Sequence, residues 1–227
     1  TAVVRMASWA ASTLLMKEGL EPNYQMVCRD RNRIAMQSDI LGAYALGVRN
    51  MLCLSGDHQL FGDHPKSKKV FDIDSMQLIS MARKMRDEGT FLNGEELTEA
   101  PKMFIGAAAN PFGEPYEYRV HRLAKKIGAG ADFIQTQCIY NMERCREWVK
   151  QANDMGLTEK VHILAGVTPM KALGMARYMQ KNVPGMDVPD WVIKRLQGVE
   201  KKQQASEGIA ICCEQIEEFK EMKGIAG

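Results

Sequence analysis

Short apolar runs alternate with segments of helical periodicity along this chain of 227 residues, and this alternation constrains its fold more than any other feature. The runs are mostly apolar throughout, which is typical of parallel strands that helices cover on at least one face. The last three recur at intervals of about 29 residues, which suits a repeating strand–helix unit. We therefore predict five strands, at residues 24–28, 51–54, 103–109, 133–138 and 161–165.

The segments between these runs carry apolar stripes at helical spacing. We expect the 16 methionines of the chain to act mainly as core filler. Asp74 or Ser75 is the predicted N-cap of one helix, and residues 128–130 are predicted to form the turn that ends another. The tail at 189–223 is predicted to be helical and highly charged. The stripes are Leu78, Met81, Ala82 and Met85; Tyr116, Val120, Leu123, Ala124 and Ile127; and Met142, Cys145, Val149, Ala152 and Met155; in the tail, Trp191, Ile193 and Leu196 are expected to pack inward.

The alternation of strand and helix predicts a parallel α/β fold, either an open doubly wound sheet or a closed (β/α)8 barrel. A closed barrel needs eight strands and about 250 residues, so three strands would be missing. The pattern alone does not decide between these architectures. Because neither a linker nor a low-complexity segment is found, residues 1–227 are expected to form one domain. The chain opens at Thr1 in helix-like sequence, and residues 223–227 resemble a helix end leading towards a further strand. Both ends are therefore expected to lie inside the domain.

The balance of charges argues against several classes of function. With 30 basic and 28 acidic residues the net charge is +2, which gives no reason to expect nucleic acid or an anionic membrane as a partner. No apolar run approaches the roughly 20 residues that span a bilayer, and no signal peptide is recognisable. A soluble, cytoplasmic protein is expected.

The cysteines are expected to be buried thiols that behave as small apolar side chains. None of them forms a C-x-x-C pair, and three lie in apolar strand-like runs, so neither zinc nor an iron–sulfur cluster is expected. They are Cys28, Cys53, Cys138, Cys145, Cys212 and Cys213.

The loops after the first two strands hold the first candidate site residues, because the working residues of parallel α/β folds gather at the carboxyl ends of strands. After the first strand come Arg29, Arg31 and Arg33, either a phosphate-binding set of guanidinium groups or a solvated charged turn. After the second strand, Gly56 and Asp57 suggest a glycine that lets a ligand approach the backbone beside a carboxylate. The alternative there is a metal site, for which the ligands would be Asp57, His58, Asp63 and His64.

The third and fourth strands also end in polar residues. Asn110 follows small residues at a strand tip, and either a flat ligand or an ordinary Asn-Pro turn explains it. On the fourth strand Gln135 and Gln137 need partners because an unpaired buried amide costs about 1–3 kcal/mol. A polar ligand or the neighbouring backbone would satisfy them. The helix predicted at 117–127 carries four basic side chains for which a solvated face is the usual explanation: Arg119, Arg122, Lys125 and Lys126.

These motifs, in this order, resemble those of the methylenetetrahydrofolate reductase family. Each motif is weak by itself, but eight of them in the family's order are specific, and they cover nearly the whole chain. They are Arg29-Asp30-Arg31-Asn32-Arg33, Leu54-Ser55-Gly56-Asp57, Gly62-Asp63-His64-Pro65, Phe71-Asp72-Ile73-Asp74-Ser75, Ala109-Asn110-Pro111, Gly130-Ala131-Asp132-Phe133-Ile134-Gln135-Thr136-Gln137, Gly166-Val167-Thr168-Pro169 and Val188-Pro189-Asp190-Trp191.

The resemblance implies a (β/α)8 barrel, of which this chain would be a fragment lacking the first strands and the last strand. It also implies FAD along the carboxyl ends of the strands, and the hydride-transfer reduction of 5,10-methylenetetrahydrofolate to 5-methyltetrahydrofolate. Such an enzyme is an oxidoreductase of one-carbon metabolism. The implied reductant is NAD(P)H or an electron-transfer partner subunit, and an oligomer or larger complex is expected.

The resemblance also assigns roles to residues. Asp57 matches the catalytic carboxylate that lies between flavin and folate, and Gln137 matches the glutamine that hydrogen-bonds folate. The implied cofactor-binding residues are Gln25, Ser55, Gly56, Asp57, Asn110, Arg119, Arg122, Lys125 and Lys126. The last five of these match positions that hold the diphosphate and adenosine end of FAD. Binding a diphosphate would explain the cluster of basic side chains on this helix face.

Two departures from the family pattern keep a second function open. The family's general acid is a glutamate on the first strand, and no residue of this chain matches it. Met175 and Met179 stand where some members use a polar and an aromatic side chain to hold folate or nicotinamide. Some members resembling this chain work beside an iron–sulfur subunit. The alternative is therefore a non-catalytic barrel that binds flavin, transfers electrons or regulates a larger complex.

Overall fold

The computed structural model describes residues 2–183 and 185–227. Within them five strands alternate with helices, and each predicted strand is found with bounds within one residue of those predicted. The strands are β1 (Asn23–Val27), β2 (Asn50–Leu54), β3 (Phe104–Ala109), β4 (Phe133–Cys138) and β5 (His162–Gly166).

The strands follow one another in chain order in the sheet. β1 pairs with β2 in parallel, with Gln25 opposite Leu52, and β2 pairs with β3 in parallel, with Leu52 opposite Gly106. Parallel strands in chain order are the arrangement of a (β/α)8 barrel, whereas a doubly wound sheet reverses its strand order at a switch point. The α/β prediction is confirmed, and the strand order agrees with a fragment of a barrel.

Eight α-helices occur in the part of the chain that the structure describes. None of them has an apolar stretch long enough to cross a membrane. The helices are α1 (Ser8–Lys17), α2 (Arg33–Ala45), α3 (Ser75–Asp87), α4 (Arg119–Ala129), α5 (Met142–Asp154), α6 (Leu173–Asn182), α7 (Asp190–Gln197) and α8 (Gln204–Lys220).

The described chain divides into two compact units. The first unit runs to Ala108 and includes Lys125–Phe133, and the second unit consists of Ala109–Ala124 and Ile134–Gly227. The prediction of one domain stays a prediction.

Each unit has an apolar core of its own, to which methionines contribute as predicted. In the first unit the fully buried side chains include Met36, Met51, Met81 and Met85. The second unit has a cluster made of Tyr140, Met170, Ala176, Met186, Val188, Val192, Leu196 and Ile211, against which Met175 and Met179 pack partly buried.

Side chains alternate between a covered and an open face along β1 and along the second half of β4. On β1, Gln25 is exposed between two buried residues. On β4, Gln135 and Gln137 are exposed on either side of the buried Thr136. Because successive side chains of a strand point to opposite faces, the polar strand residues with predicted roles lie on the open face, where a ligand can reach them.

Two helix ends form as their sequences predict. Asp74 is the N-cap of α3 and makes a capping box with Gln77: the Asp74 carboxylate accepts from the Gln77 backbone at 2.8 Å and the Gln77 amide oxygen accepts from the Asp74 backbone at 2.9 Å. α4 ends before Gly130, which has a φ of 118° and donates its N–H to the carbonyl of Ile127 at 3.0 Å. The left-handed backbone at this turn favours glycine.

The tail is helical as predicted, but the prediction that Trp191 packs inward is wrong. Trp191 is 40% exposed, while Val192 and Leu196 are buried. α7 begins at Asp190 and buries positions four residues apart, which lie on one face of a helix. Trp191, one position earlier, is turned towards solvent.

Three other side chains expected in the core are exposed: Tyr116, Met155 and Cys213. Tyr116 lies in a 3-10 helix before α4 and Met155 is the C-cap of α5, so neither continues the buried stripe. Four of the six free cysteines are buried as predicted, and Cys138 is half-buried. Beyond α8, the backbone N–H of Ala226 donates to the carbonyl of Ile163 in β5 at 2.8 Å, so the tail pairs with that strand.

Candidate active site

The turn after β2 carries Asp57 at the carboxyl end of the strand. Gly56 has a φ of 87°, a conformation that L-residues with side chains rarely adopt. A Cβ at this position would also lie 3.3 Å from the Cβ atoms of Val27 and Arg29. The exposed Ser55 accepts a backbone hydrogen bond from Arg29 through its carbonyl at 3.2 Å. Gly56 therefore lets the chain turn tightly against β1, and the side chain of Asp57 is exposed beyond it.

The arginines after β1 pair with carboxylates of their own chain. Arg29 binds both oxygens of Asp30 at 2.7 Å, and its Nη1 donates to the backbone carbonyl of Asp57 at 3.0 Å. The hydrogen bond to Asp30 is the main cause that raises the pKa of Arg29. The other two ion pairs of this loop are Arg31 with Asp39 and Arg33 with Asp72. These pairs favour the charged-turn interpretation over phosphate binding, because the guanidinium groups are already held by carboxylates.

The long loop after Asp57 uses its histidines in local contacts. His58 accepts from the backbone of Leu60 through Nδ1 at 3.3 Å, and its Nε2 lies 3.3 Å from the Lys69 ammonium. His64 contacts Asp63 at 3.0 Å. Across residues 2–183 and 185–227, no group of three or more His, Cys, Asp and Glu side chains is arranged to hold a metal ion. The local contacts account for these histidines without a metal.

Gln25 lies on the open face of β1, two residues before the strand ends. Its backbone N–H donates to the hydroxyl of Ser8, in α1, at 2.9 Å. That contact ties α1 to β1, while the Gln25 side chain remains exposed. Gln25, Ser55, Gly56 and Asp57 thus belong to the same unit.

In the second unit, Asn110 forms a turn at the exit of β3. Its side-chain oxygen accepts from the backbone N–H of Phe112 at 2.9 Å. A Cβ on Gly185 would lie 2.0 Å from the side-chain nitrogen of Asn110. The Asn-Pro turn is therefore present in the structure, and a ligand contact through Asn110 stays a prediction.

The four basic side chains of α4 fall into two pairs. Arg119 donates to the backbone carbonyls of Gly113 and Glu114, and Lys126 donates to that of Ala108. Burial, followed by the positive charge of Arg122, lowers the pKa of Arg119. The second pair, Arg122 and Lys125, is exposed. Two cations therefore hold the backbone at the exit of β3, and two present their charge to solvent.

Gln137 lies on the open face of β4, and the backbone beside it is closely packed. Its side-chain oxygen accepts from the backbone of Cys138 at 3.3 Å. The buried Thr136 donates its hydroxyl to the carbonyl of Gln137 at 2.9 Å and accepts from the backbone N–H of Gly166 at 2.8 Å. A Cβ on Gly166 would lie 2.7 Å from the carbonyl oxygen of Thr136. Gln137 is thus presented from a backbone that Thr136 and Gly166 hold.

A second set of hydrogen bonds links the end of β4 to Thr168, two residues after β5. The Cys138 thiol lies 2.9 Å from the Thr168 hydroxyl, and the Tyr140 hydroxyl donates to the Thr168 carbonyl at 2.9 Å. Sequence reasoning missed Thr136 and Thr168. Their signal was a hydroxyl beside a polar strand residue and within the Gly166-Val167-Thr168-Pro169 motif.

The structure brings the predicted site residues together in two groups. The first unit holds Gln25, Ser55, Gly56, Asp57, Lys125 and Lys126, and the second unit holds Asn110, Arg119, Arg122 and Gln137. Three cavities, of about 630, 600 and 580 Å³, are lined by residues that belong to neither of these two groups. The argument for a site therefore comes from the carboxyl ends of the strands and their chemistry.

The fold and these residues define a parallel α/β protein whose polar groups follow the carboxyl ends of its strands. The sequence model of the methylenetetrahydrofolate reductase family matches residues 1–225. The chain belongs to the methylenetetrahydrofolate reductase family.

Several known proteins are similar to the chain. A probable methylenetetrahydrofolate reductase (NADPH) of Caenorhabditis elegans is 24% identical over 207 residues, which are 89% of this chain and 28% of that protein. Methylenetetrahydrofolate reductase 2 of Schizosaccharomyces pombe is 25% identical over 201 residues, 82% of this chain and 29% of its own. The chain thus spans less than a third of the length of these relatives.

One solved structure has a similar fold. It is an uncharacterized protein from Clostridium thermocellum that binds two copies of 5-methyl-5,6,7,8-tetrahydrofolic acid. The superposition has a TM-score of 0.57 at 15% identity and covers 99% of this chain and 73% of the other. At that identity the similarity shows the fold alone.

Proposed function

We propose that the full-length protein reduces 5,10-methylenetetrahydrofolate to 5-methyltetrahydrofolate, with FAD as the bound hydride donor. The observation that carries this proposal is the family match over residues 1–225. The folate bound by the similarly folded protein of Clostridium thermocellum supports the same substrate class. The name of the relative from Caenorhabditis elegans supports NADPH as a reductant of this type of enzyme.

The residues at the carboxyl ends of the strands fit a flavin dinucleotide. The exposed pair Arg122 and Lys125 supplies two positive charges for a diphosphate, while Arg119 and Lys126 shape the loop beside it through the backbone carbonyls. Gly56 lets the chain turn tightly against β1, and the exposed Ser55 and Asp57 on either side of it would face the flavin. Bound FAD, once reduced by NAD(P)H or a partner subunit, would supply the hydride that the side chains of this chain do not carry.

Asp57 and Gln137 act on the folate in this proposal. Methylenetetrahydrofolate opens to a cationic iminium before it accepts a hydride, and a carboxylate a few ångströms away stabilises that cation. The stabilisation grows where water is excluded, because the local dielectric constant falls. The exposed amide of Gln137 both donates and accepts hydrogen bonds, which suits the polar edge of a pterin.

Replacing Asp57 tests this assignment directly. The change Asp57→Asn keeps the size of the side chain and removes its charge. We expect folate-dependent reoxidation of the flavin to slow by roughly 10- to 1000-fold, or about 1.4–4 kcal/mol, as for the loss of one preorganised electrostatic group. Flavin content should stay nearly unchanged. Stopped-flow measurement of both half-reactions in the full-length protein provides the rates.

Asp63→Asn is the matched control, since it removes the same charge from the same loop at a carboxylate that contacts His64 and the backbone of Val4. Its reoxidation rate should stay within about twofold of wild type, a difference of under 0.5 kcal/mol. Wild-type reoxidation in Asp57→Asn would show that Asp57 is only a loop residue. A full-length protein that forms no 5-methyltetrahydrofolate when its reduced flavin is mixed with methylenetetrahydrofolate would overturn the proposed reaction.

A further inference from the structure

We infer that Arg29 is the positioning residue for Asp57, an inference that rests on the proposed function. The side chain of Arg29 is only 12% exposed. Its Nε and Nη2 bind the two oxygens of Asp30 at 2.7 Å, and its Nη1 donates to the Asp57 carbonyl at 3.0 Å. A planar guanidinium held at both edges has little freedom to move. It therefore ties the backbone of Asp57 to the end of β1.

The backbone of Arg29 holds the same turn from its other end. Its N–H donates to the Ser55 carbonyl at 3.2 Å, and its carbonyl accepts from Val70 at 2.8 Å, where the long loop returns. One residue thus contacts both ends of the three-residue turn 55–57. The residue between these contacts is Gly56, whose left-handed φ of 87° other residues rarely adopt. Glycine adopts this φ without strain but leaves the backbone free to move, and the contacts of Arg29 restrict the turn at both ends.

Position matters here because Asp57 acts through space. The side chain of Asp57 is exposed, and any shift of its backbone moves the carboxylate with it. A misplacement of about 1 Å in a reacting group can reduce a rate by about 100-fold. Asp30 compensates the charge of Arg29 through two hydrogen bonds. The three groups together retain one net negative charge at the site, so the arginine positions Asp57 without cancelling its field.

Arg33, the first residue of α2, offers a matched control four residues from Arg29. It also binds both oxygens of one carboxylate, Asp72, at 2.8 and 2.9 Å. Its side chain is 52% exposed, and the structure shows no hydrogen bond from it to the turn 55–57 among the described residues. Losing Arg33 therefore removes a comparable ion pair without releasing Asp57.

The test is a double-variant cycle in the FAD-loaded full-length protein. Titration calorimetry with 5-methyltetrahydrofolate and stopped-flow reoxidation by methylenetetrahydrofolate are measured for each variant. We expect Arg29→Gln to weaken folate binding and slow reoxidation by about 10-fold each, with Arg29→Lys recovering part of both, since one ammonium can keep only part of the contacts. Arg33→Gln should stay within about twofold of wild type. In the Asp57→Asn background, Arg29→Gln should add less than about twofold, because the two residues act as a unit.

The outcomes separate this inference from the proposed function. If Asp57→Asn is slow while Arg29→Gln is normal, or if Arg29→Gln has the same effect in both backgrounds, Arg29 does not act through Asp57 and the inference is wrong. An equal effect of Arg33→Gln would also overturn it, since general loosening of the loop would then explain the result. If Asp57→Asn itself binds and reduces folate normally, the assignment of Asp57 fails and this inference fails with it.

Discussion

At the scale of single residues, the cations of α4 show that composition alone does not define a role. Arg119 and Lys126 are committed to backbone carbonyls near the exit of β3. Arg122 and Lys125, three residues apart on the same helix, are exposed. Removing either of the first two would release a loop, whereas removing the second two changes charge with little effect on packing. A test of diphosphate binding therefore belongs with Arg122 and Lys125.

We expect the double variant Arg122→Gln with Lys125→Gln to bind FAD about 10- to 100-fold more weakly, since each lost charge-assisted contact contributes about 1 kcal/mol or more. FMN lacks the second phosphate and should be affected much less. Fluorescence titration of the full-length apoprotein with both flavins measures this. Replacing Lys201 and Lys202, two exposed cations before α8, by Gln is the control for net charge. Equal losses for FAD and FMN would contradict a diphosphate role.

At the scale of elements, the capping box of α3 links a short motif to stability. Asp74 and Gln77 satisfy each other's backbone N–H groups at the start of the helix, and α3 buries six side chains, Met81 and Met85 among them. An N-cap satisfies donors that the helix leaves without a partner. The helix start after the long loop is therefore defined by two residues that the sequence itself displays.

Asp74→Ala should lower the free energy of unfolding by about 1 kcal/mol, the typical value of a lost N-cap. Asp74→Asn should cost much less, because asparagine caps nearly as well as aspartate. Urea denaturation of the full-length protein followed by circular dichroism gives both values. A loss in Asp74→Asn as large as that in Asp74→Ala would assign the effect to charge and contradict the capping explanation.

At the scale of the whole molecule, five strands are described, whereas a closed (β/α)8 barrel has eight. The curated relatives are more than three times as long as the part that matches this chain. A barrel removes its sheet edges by closing, and a parallel sheet with open edges leaves backbone groups unpaired. The reaction is therefore expected to need more of the protein than these residues.

Residues 1–227 expressed alone are expected to lack folate reduction. The full-length protein, assayed under the same conditions with the same flavin, is the control. Size-exclusion chromatography should show association or aggregation of the shorter protein, since exposed strand edges pair with other chains. A soluble monomer that reduces methylenetetrahydrofolate at the full-length rate would refute this prediction.

The order of strands and helices was open to prediction from the sequence because it follows from local patterns. Apolar runs define β1 to β5 to within one residue, and Asp74 and Gly130 mark helix ends through their own backbone chemistry. The choice of barrel over open sheet was not local, because it depends on which strands pair. The sequence also left the exposure of Trp191 undecided. Which face of α7 is buried depends on how the helix packs against its neighbours and not on the apolarity of one side chain.

The candidate site also has residues that the sequence predicts and contacts that it does not. Asp57, Gly56 and Gln137 were predicted as site residues from the sequence because each lies in a contiguous motif, and their roles stay predictions. The contact of Arg29 with Asp57 spans 28 residues, and that of Thr136 with Gly166 spans 30. No local pattern encodes such pairs: Arg29, two residues from Arg31 and four from Arg33, has many possible partners until the strands bring one carbonyl within 3.0 Å. The sequence determined which groups the protein has, and the tertiary structure decided which of them meet, because hydrogen bonds depend on distances that only the pairing of the strands sets.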